Sequence, residues 1–221
     1  MKHIMKLVFG SLLTIFFSAS AFAVTISWTD WTSSDSFSAN GDLLVGSTTV
    51  GVGYSATGAH SFVTTGAGTN FWTGAAYTNG TVDNAPPASD IIALNVGGTV
   101  TVTFAQTVVD PYIGLVSWNG NTVDFGVPIE IDSFGSGFWG SGTPILNGSG
   151  TGFFGSGEVH GVIRLPGSYD SITFTHTSEN WHGFTVGVAG IAPIPEPETY
   201  AMLLAGLGLL GFIARRRKEN V

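Results

Sequence analysis

The residues that could support catalysis are scattered and form no recognised constellation. Asp170, Ser171 and His176 supply the residue types of a hydrolytic triad, but a triad is defined by geometry and not by adjacency in sequence. No G-x-S-x-G turn or H-E-x-x-H helix motif is present. Glycoside hydrolysis needs two facing carboxylates, and no pair can be chosen among the scattered acids. The sequence therefore predicts a protein that is not an enzyme, with a hydrolase as the distant alternative.

Aromatic residues flanked by glycine provide candidate carbohydrate-binding positions. Residues 135–140 and 150–155 each place an aromatic pair between glycines, and neither opens a helix as a dinucleotide loop would. Bare glycines expose ring faces on which sugars can stack; alternatively, they make room for core aromatics at sandwich corners. A second cluster precedes the last strand and could line a glycan groove or pack a strand entry. The candidate glycan-binding residues are Phe138, Trp139, Trp181 and His182.

Metal binding has weak candidates. Asp83, Asn84 and Asp90 carry oxygens of the kind that Ca²⁺ prefers, although no D-x-D-x-D-G loop is present. The histidines show no spacing typical of a zinc site. We predict no cofactor, with a structural Ca²⁺ at these three residues as the alternative.

Basic residues are almost confined to the two ends of the chain. Residues 24–191 contain one cation, Arg164, whereas acids are spread throughout. Nucleic-acid binding depends on phosphate neutralisation by Lys and Arg, so this composition excludes it. The domain itself is equally unsuited to an anionic membrane surface. The chain has no cysteine, which excludes disulfides and thiolate metal sites.

The N-terminus has the three parts of a secretory signal peptide. Lys2 and Lys6 precede an apolar stretch over residues 7–17, and small residues then end in Ala21-Phe22-Ala23. We predict a signal peptide over residues 1–23 that is cleaved after Ala23, with Ala21 and Ala23 as the recognition pair. The apolar stretch is short for an uncleaved membrane anchor.

The C-terminal tail, residues 192–221, also has three parts in order. Pro195, Glu196 and Pro197 come first, followed by residues 199–214, which carry no charge. About 16 helical residues would span about 24 Å, slightly less than a ~30 Å hydrocarbon core. We predict one transmembrane helix here, with the preceding domain outside because the basic end belongs on the cytoplasmic side. The basic end consists of Arg215, Arg216, Arg217 and Lys218.

This tail resembles the PEP-CTERM sorting signal of Gram-negative bacteria, because all three parts occur in order between Pro195 and Lys218. The resemblance implies recognition by an exosortase, a membrane-embedded cysteine protease that cuts near the Pro-Glu-Pro motif. It also implies delivery to the cell surface or the exopolysaccharide matrix. Such tails sometimes carry the name "ice-binding protein C-terminal domain", which describes the sorting segment and not ice binding.

The region between the two ends resembles a recurring type of PEP-CTERM ectodomain. That type opens with W-T-D-W-T, here residues 28–32, and closes with ENWHGFTVGV, here residues 179–188. The resemblance implies a family and no particular activity.

Residues 24–191 show the period of two that is typical of antiparallel strands with one buried face. Apolar residues alternate with polar residues or glycine over 50–54, 100–104, 129–132, 172–175 and 184–188. Gly97-Gly98 and Asn119-Gly120 suit hairpins, and Pro166-Gly167 suits a type II turn. We predict an all-β, antiparallel β-sandwich, jelly-roll-like in topology.

The sequence thus predicts an exported structural protein of the cell surface or exopolysaccharide matrix of a Gram-negative bacterium. It would cross the inner membrane and be anchored there transiently by its C-terminal helix. A carbohydrate-binding module that uses exposed aromatics is the alternative. The expected partners are an exosortase and exopolysaccharide.

Overall fold

The computed structural model describes residues 23–78, 81–191, 205–207 and 210. Residues 1–22 of the predicted signal peptide and most of the predicted tail lie outside this part. Residues 205–207 and 210 are helical, but most of the predicted transmembrane helix over 199–214 is not described. Within the described part of the chain, no helix is both long and apolar enough to cross a membrane.

Strands make up nearly all the regular structure of residues 23–191, beside one 3-10 helix at Ala75–Tyr77. The strands are β1 (Ser27–Trp28), β2 (Asp30–Ser34), β3 (Ser38–Val45), β4 (Thr48–Ala56), β5 (Phe62–Thr65), β6 (Asp90–Leu94), β7 (Gly98–Val109), β8 (Tyr112–Trp118), β9 (Thr122–Asp124), β10 (Glu130–Gly135), β11 (Gly142–Leu146), β12 (Gly152–Gly157), β13 (Val159–Arg164), β14 (Ser168–His176), β15 (His182–Val188) and β16 (Gly190–Ile191).

These strands form two antiparallel sheets. One has seven strands in the order β10-β13-β8-β15-β6-β5, with β1 also paired to β15. The other has nine strands in the order β11-β12-β9-β14-β7-β4-β3-β2, with β16 also paired to β7. The all-β prediction is confirmed, and the two sheets are consistent with a β-sandwich. The jelly-roll topology stays a prediction.

The main core lies between the sheets, where both contribute every second residue. In β7 and β14, Val100, Val102 and Phe174 are buried while the alternating threonines face outward. This alternation follows from the two-residue period of a strand. The largest fully buried side chains of the layer are Trp31, Tyr54, Trp118, Phe153, Phe174 and Phe184.

The seven-stranded sheet is also covered on its outer face. Every residue of β6, β8 and β15 is buried, because residues 66–78 and 81–89 pack across that face with Trp72 and Tyr77. Gly114 makes the close approach possible, since a Cβ there would lie 3.1 Å from both Trp72 and Pro86. Thr185 and Gly187, expected on a polar face of the last long strand, are therefore buried.

Two predicted hairpins are wrong. Gly97-Gly98 joins β6 to β7 and Asn119-Gly120 joins β8 to β9, but in each case the two strands belong to different sheets. These turns carry the chain from one sheet to the other. A tight hairpin lies instead between β3 and β4, where Val45 pairs with Thr48 and Gly46 takes a φ of 62°.

Candidate functional site

Several loops converge at one end of the seven-stranded sheet. At this end β5 begins at Phe62, β15 begins at His182 and β10 ends at Gly135. The pairing of neighbouring strands places these three positions along the same edge of the sheet. Residues just outside these strand ends therefore lie side by side.

Five aromatic rings form a connected surface at this end, which we call the aromatic surface. The ring of Phe138 lies 4.9 Å from Trp139 and 5.2 Å from Phe71. The ring of Phe71 lies 5.1 Å from Trp181, and Phe62 lies about equally far from Phe71 and Trp181, at 6.3 and 6.1 Å. Trp139 is 57% exposed, and Phe138 and Phe62 are also exposed, so part of each of these rings is open to solvent.

The turn that carries Phe138 and Trp139 is anchored on a buried histidine. Gly137 N–H donates to the carbonyl of Gly140 at 2.7 Å, which closes the turn. The backbone N–H of Trp139 donates to Nε2 of His160 at 3.4 Å. A side chain at Gly137 would collide with the His160 ring, so glycine is required for the turn to pack against His160. The turn that carries Trp139 is therefore held in place by these two hydrogen bonds.

The hydrogen bonds of His160 determine its protonation. Tyr77 donates its hydroxyl to the carbonyl of Leu115 at 2.9 Å and lies 3.2 Å from Nδ1 of His160. Nδ1 therefore carries the proton, and Nε2 is left to accept from Trp139. Burial lowers the pKa of His160 to about 4, against a weaker opposing effect of the Glu158 carboxylate. The imidazole is neutral at physiological pH.

His182 is separated from the other three candidate glycan-binding residues. Trp181 lies outside the start of β15, and the next side chain points to the opposite face. His182 is fully buried, its ring lies 4.4 Å from that of Trp118, and its Nε2 lies 3.0 Å from Nδ1 of His176. Phe138, Trp139 and Trp181 meet on the surface, whereas His182 packs beneath it.

Two carboxylates flank the aromatic surface and share one partner. Asn119 donates its backbone N–H to Glu179 at 3.3 Å and its side-chain amide to Glu158 at 2.8 Å. Ser117, which has a positive φ of 57°, also donates its hydroxyl to Glu158. Both carboxylates are thus positioned by neutral donors.

The candidate Ca²⁺ ligands hold separate backbone segments. Asn84 accepts from the N–H of Ile26 at 2.7 Å and donates to its carbonyl at 2.8 Å. Asp83 accepts from the hydroxyl of Thr25. Asp90 is buried and accepts from the N–H of Trp31 at 3.1 Å; burial raises the pKa of Asp90. Among the described residues, no group of three His, Asp or Glu side chains is placed to hold a metal ion.

The residue types of a hydrolytic triad are dispersed along β14. Ser171 is exposed, whereas His176 points into the core, where burial lowers its pKa to about 4. Asp170 accepts a hydrogen bond from the hydroxyl of Thr107. In the second glycine stretch, Phe153 is buried in the core and Phe154 is exposed. That stretch lies in the nine-stranded sheet, apart from the aromatic surface.

Sequence reasoning missed Phe62, Phe71, Asn119 and Glu158. Phe71 is the ring that links the two aromatic clusters, and it lies in a segment without strand periodicity. The available signal was weak: Asn70 directly precedes two aromatic residues, and its side-chain Oδ1 accepts from the N–H of Trp72 at 3.0 Å. Such a local turn fixes the backbone of the segment, but it does not predict which strand the segment packs against.

Residues 193–218 match the family model of the PEP-CTERM protein-sorting motif. The PEP-CTERM match covers Pro195-Glu196-Pro197, the apolar run and the basic end. It implies an exported protein that is sorted to the cell surface and processed by an exosortase. No curated protein and no solved structure matches the chain.

Proposed function

We propose that this chain is a non-enzymatic structural component of the cell surface or exopolysaccharide matrix, and that it binds polysaccharide on the aromatic surface. The observation that carries the proposal is the continuous contact of five rings from four segments, with Trp139 the most exposed. Sugar rings present flat C–H faces that can stack on such rings, and each stacked sugar buries apolar area. A row of rings suits an extended polymer better than a single small sugar.

The PEP-CTERM tail supports the proposed location. After export across the inner membrane of a Gram-negative bacterium, the apolar run would anchor the chain transiently. Exosortase processing would then release the domain to the surface or matrix. The function requires no cofactor, and a structural Ca²⁺ at Asp83, Asn84 and Asp90 stays a prediction.

Sedimentation with insoluble polysaccharides tests the proposal. The full chain, purified in mild detergent, is mixed with cellulose, chitin and the exopolysaccharide of the producing cells, and the bound fraction is measured. We expect binding to at least one polymer and a loss of binding in W139A. Failure to bind any of them, the producer's own polysaccharide included, would contradict the proposal.

A second candidate function, glycoside hydrolysis, is favoured by the two carboxylates that Asn119 joins beside the aromatic surface. Hydrolysis of this kind uses one carboxyl group as an acid and another as a base or nucleophile. Release of reducing ends from a bound polysaccharide, abolished in both E158Q and E179Q, would establish it. We expect no release.

A further inference from the structure

We propose that the aromatic surface prefers a polysaccharide with amino groups, a polymer of protonated amino sugars, over neutral or acidic ones. The inference rests on the proposed function and names the chemical class of its ligand. It is motivated by the position and the charge balance of Glu158 and Glu179.

Each carboxylate lies next to one part of the aromatic surface. A Cβ at Gly140, the residue after Trp139, would lie 3.9 Å from Cγ of Glu158. Glu179 is two residues from Trp181 and bonds the residue that follows β8, Asn119. A sugar stacked on either tryptophan would therefore have a carboxylate near its edge.

Within the part of the chain that the structure describes, no Lys or Arg pairs with either carboxylate. Arg164 is the one Lys or Arg between residues 24 and 191, and it stands at the opposite end of β13 from Glu158. Six residues of strand at about 3.3 Å each place it about 20 Å away, beyond the ~8 Å screening length at physiological salt. Arg164 also has its own partners: it bonds Glu130 and lies 3.3 Å from Asp132 and 3.9 Å from Asp110.

The nearest group that could carry positive charge leaves Glu179 incompletely paired. Nδ1 of His182 lies 3.3 Å from Oε2 of Glu179, but in a direction that makes no hydrogen bond. This nitrogen belongs to a fully buried side chain and has no hydrogen-bond partner among the described residues. Among the described residues, Oε1 of Glu179 accepts no hydrogen bond, so it can still accept from a ligand.

Two physical effects favour an ammonium group here. Uncompensated carboxylates attract a cation and repel uronate or sulfate groups. The faces of tryptophan and phenylalanine attract cations as well, through the negative charge density above the ring. A protonated amino sugar can stack its C–H face on Trp139 or Trp181 and place its ammonium at Glu158 or Glu179. A neutral sugar gains the stacking alone, and an acidic sugar is repelled.

The test compares two hexamers that share one backbone and differ in charge, and adds a third, acidic hexamer of a different backbone. Binding of the full chain to glucosamine hexamer, its fully N-acetylated form and a galacturonate hexamer is measured by calorimetry at about pH 6. We expect glucosamine hexamer to bind about two- to fivefold more tightly than the N-acetylated form, as for exposed charge pairs, and galacturonate least. The preference should shrink as NaCl is added.

Charge variants locate the effect. E158Q and E179Q should each reduce the ratio of the affinity for glucosamine hexamer to the affinity for its N-acetylated form. D42N removes one exposed carboxylate from the nine-stranded sheet and should retain the full preference. If a variant does not fold, the ranking of the hexamers by the wild-type chain and its salt dependence decide the question.

The outcomes separate the two proposals. Equal binding of the amine and N-acetyl hexamers, both weakened by W139A, would overturn the charge preference and leave polysaccharide binding in place. Tight binding of galacturonate would overturn the preference in the same way. If no hexamer binds, and no insoluble polysaccharide binds either, both proposals fail.

Discussion

The ring of Phe71 lies 5.1 Å from that of Trp181 and connects it to Phe138 and Trp139. The two tryptophans come from turns that follow β10 and precede β15, and Phe71 comes from the segment over the outer face of the seven-stranded sheet. Without this ring, the aromatic residues would form two separate clusters. Phe71 therefore gives the domain one extended apolar surface.

Trp139 should contribute most to binding because it is the most exposed ring of the aromatic surface. W139A should weaken polysaccharide binding by about tenfold, as expected for a tryptophan that contributes strongly to an interface. The free energy of unfolding should change by less than about 0.5 kcal/mol, since the side chain is exposed. Calorimetric titration and urea unfolding measure the two quantities.

Phe154 provides the matched control. It is an exposed aromatic residue of the nine-stranded sheet, outside the aromatic surface. F154A should bind polysaccharide as the wild type does. Equal losses in W139A and F154A would show that general exposure of aromatic rings, and not this surface, governs binding.

The turn that carries Trp139 can pack against His160 only because residue 137 is glycine. G137A would place a methyl group inside van der Waals contact of the His160 ring, and such overpacking costs about 1–3 kcal/mol. We expect lower stability together with weaker binding, because the turn must lift away from His160. Gly148 has open space around it, so G148A should leave both unchanged; a neutral G137A would contradict the account.

The neutral state of His160 makes stability depend on pH. Its pKa falls from 6.5 to about 4 on folding, so the unfolded chain binds the proton more readily and stability decreases as pH falls from about 6.5 to 4. The loss attributable to His160 is about 2 kcal/mol by pH 5. Urea unfolding of the wild type and H160Q at pH 7 and pH 5 measures it. H160Q should show a smaller loss; an equal loss would assign the effect to other groups.

Processing of the tail predicts the mass of the mature protein. Chain isolated from the surface of producing cells should lack Arg215–Lys218, because we propose that the exosortase cuts near Pro195-Glu196-Pro197. Replacing these three residues by alanine should leave the basic end attached and keep the chain in the membrane fraction. Intact mass spectrometry distinguishes the two species. A wild-type mature chain that still carries the basic end would contradict processing before the helix.

Alternation along the sequence was enough to predict an all-β fold, because β4, β7 and β14 each have one buried and one exposed face. Alternation could not predict that both faces of the seven-stranded sheet are covered at its central strands. There, β8 and β15 are buried on both sides by the segment around Trp72, whose packing depends on contacts distant in sequence. Turn residues such as Gly97-Gly98 indicate a change of chain direction, but they do not predict whether the next strand belongs to the same sheet.

The candidate site was only partly predictable for a similar reason. The glycines around Phe138 and Trp139 left two interpretations open, exposed rings or core aromatics at a sandwich corner, and the structure exposes Trp139. The same dense cluster of residues contains Trp181 and His182, yet these point to opposite faces because strand β15 begins between them. Phe71 and Glu158 join the site through packing across the sheet, which no local pattern encodes.

Retention on native polysaccharide tests the central claim most directly. Wild-type chain and W139A are expressed in the producing bacterium, and the fraction of mature protein that purifies with the extracellular polysaccharide is measured. The account predicts that most of the wild type is retained and that W139A is released into the medium with an unchanged mature mass. Equal retention of the two proteins would contradict binding through the aromatic surface.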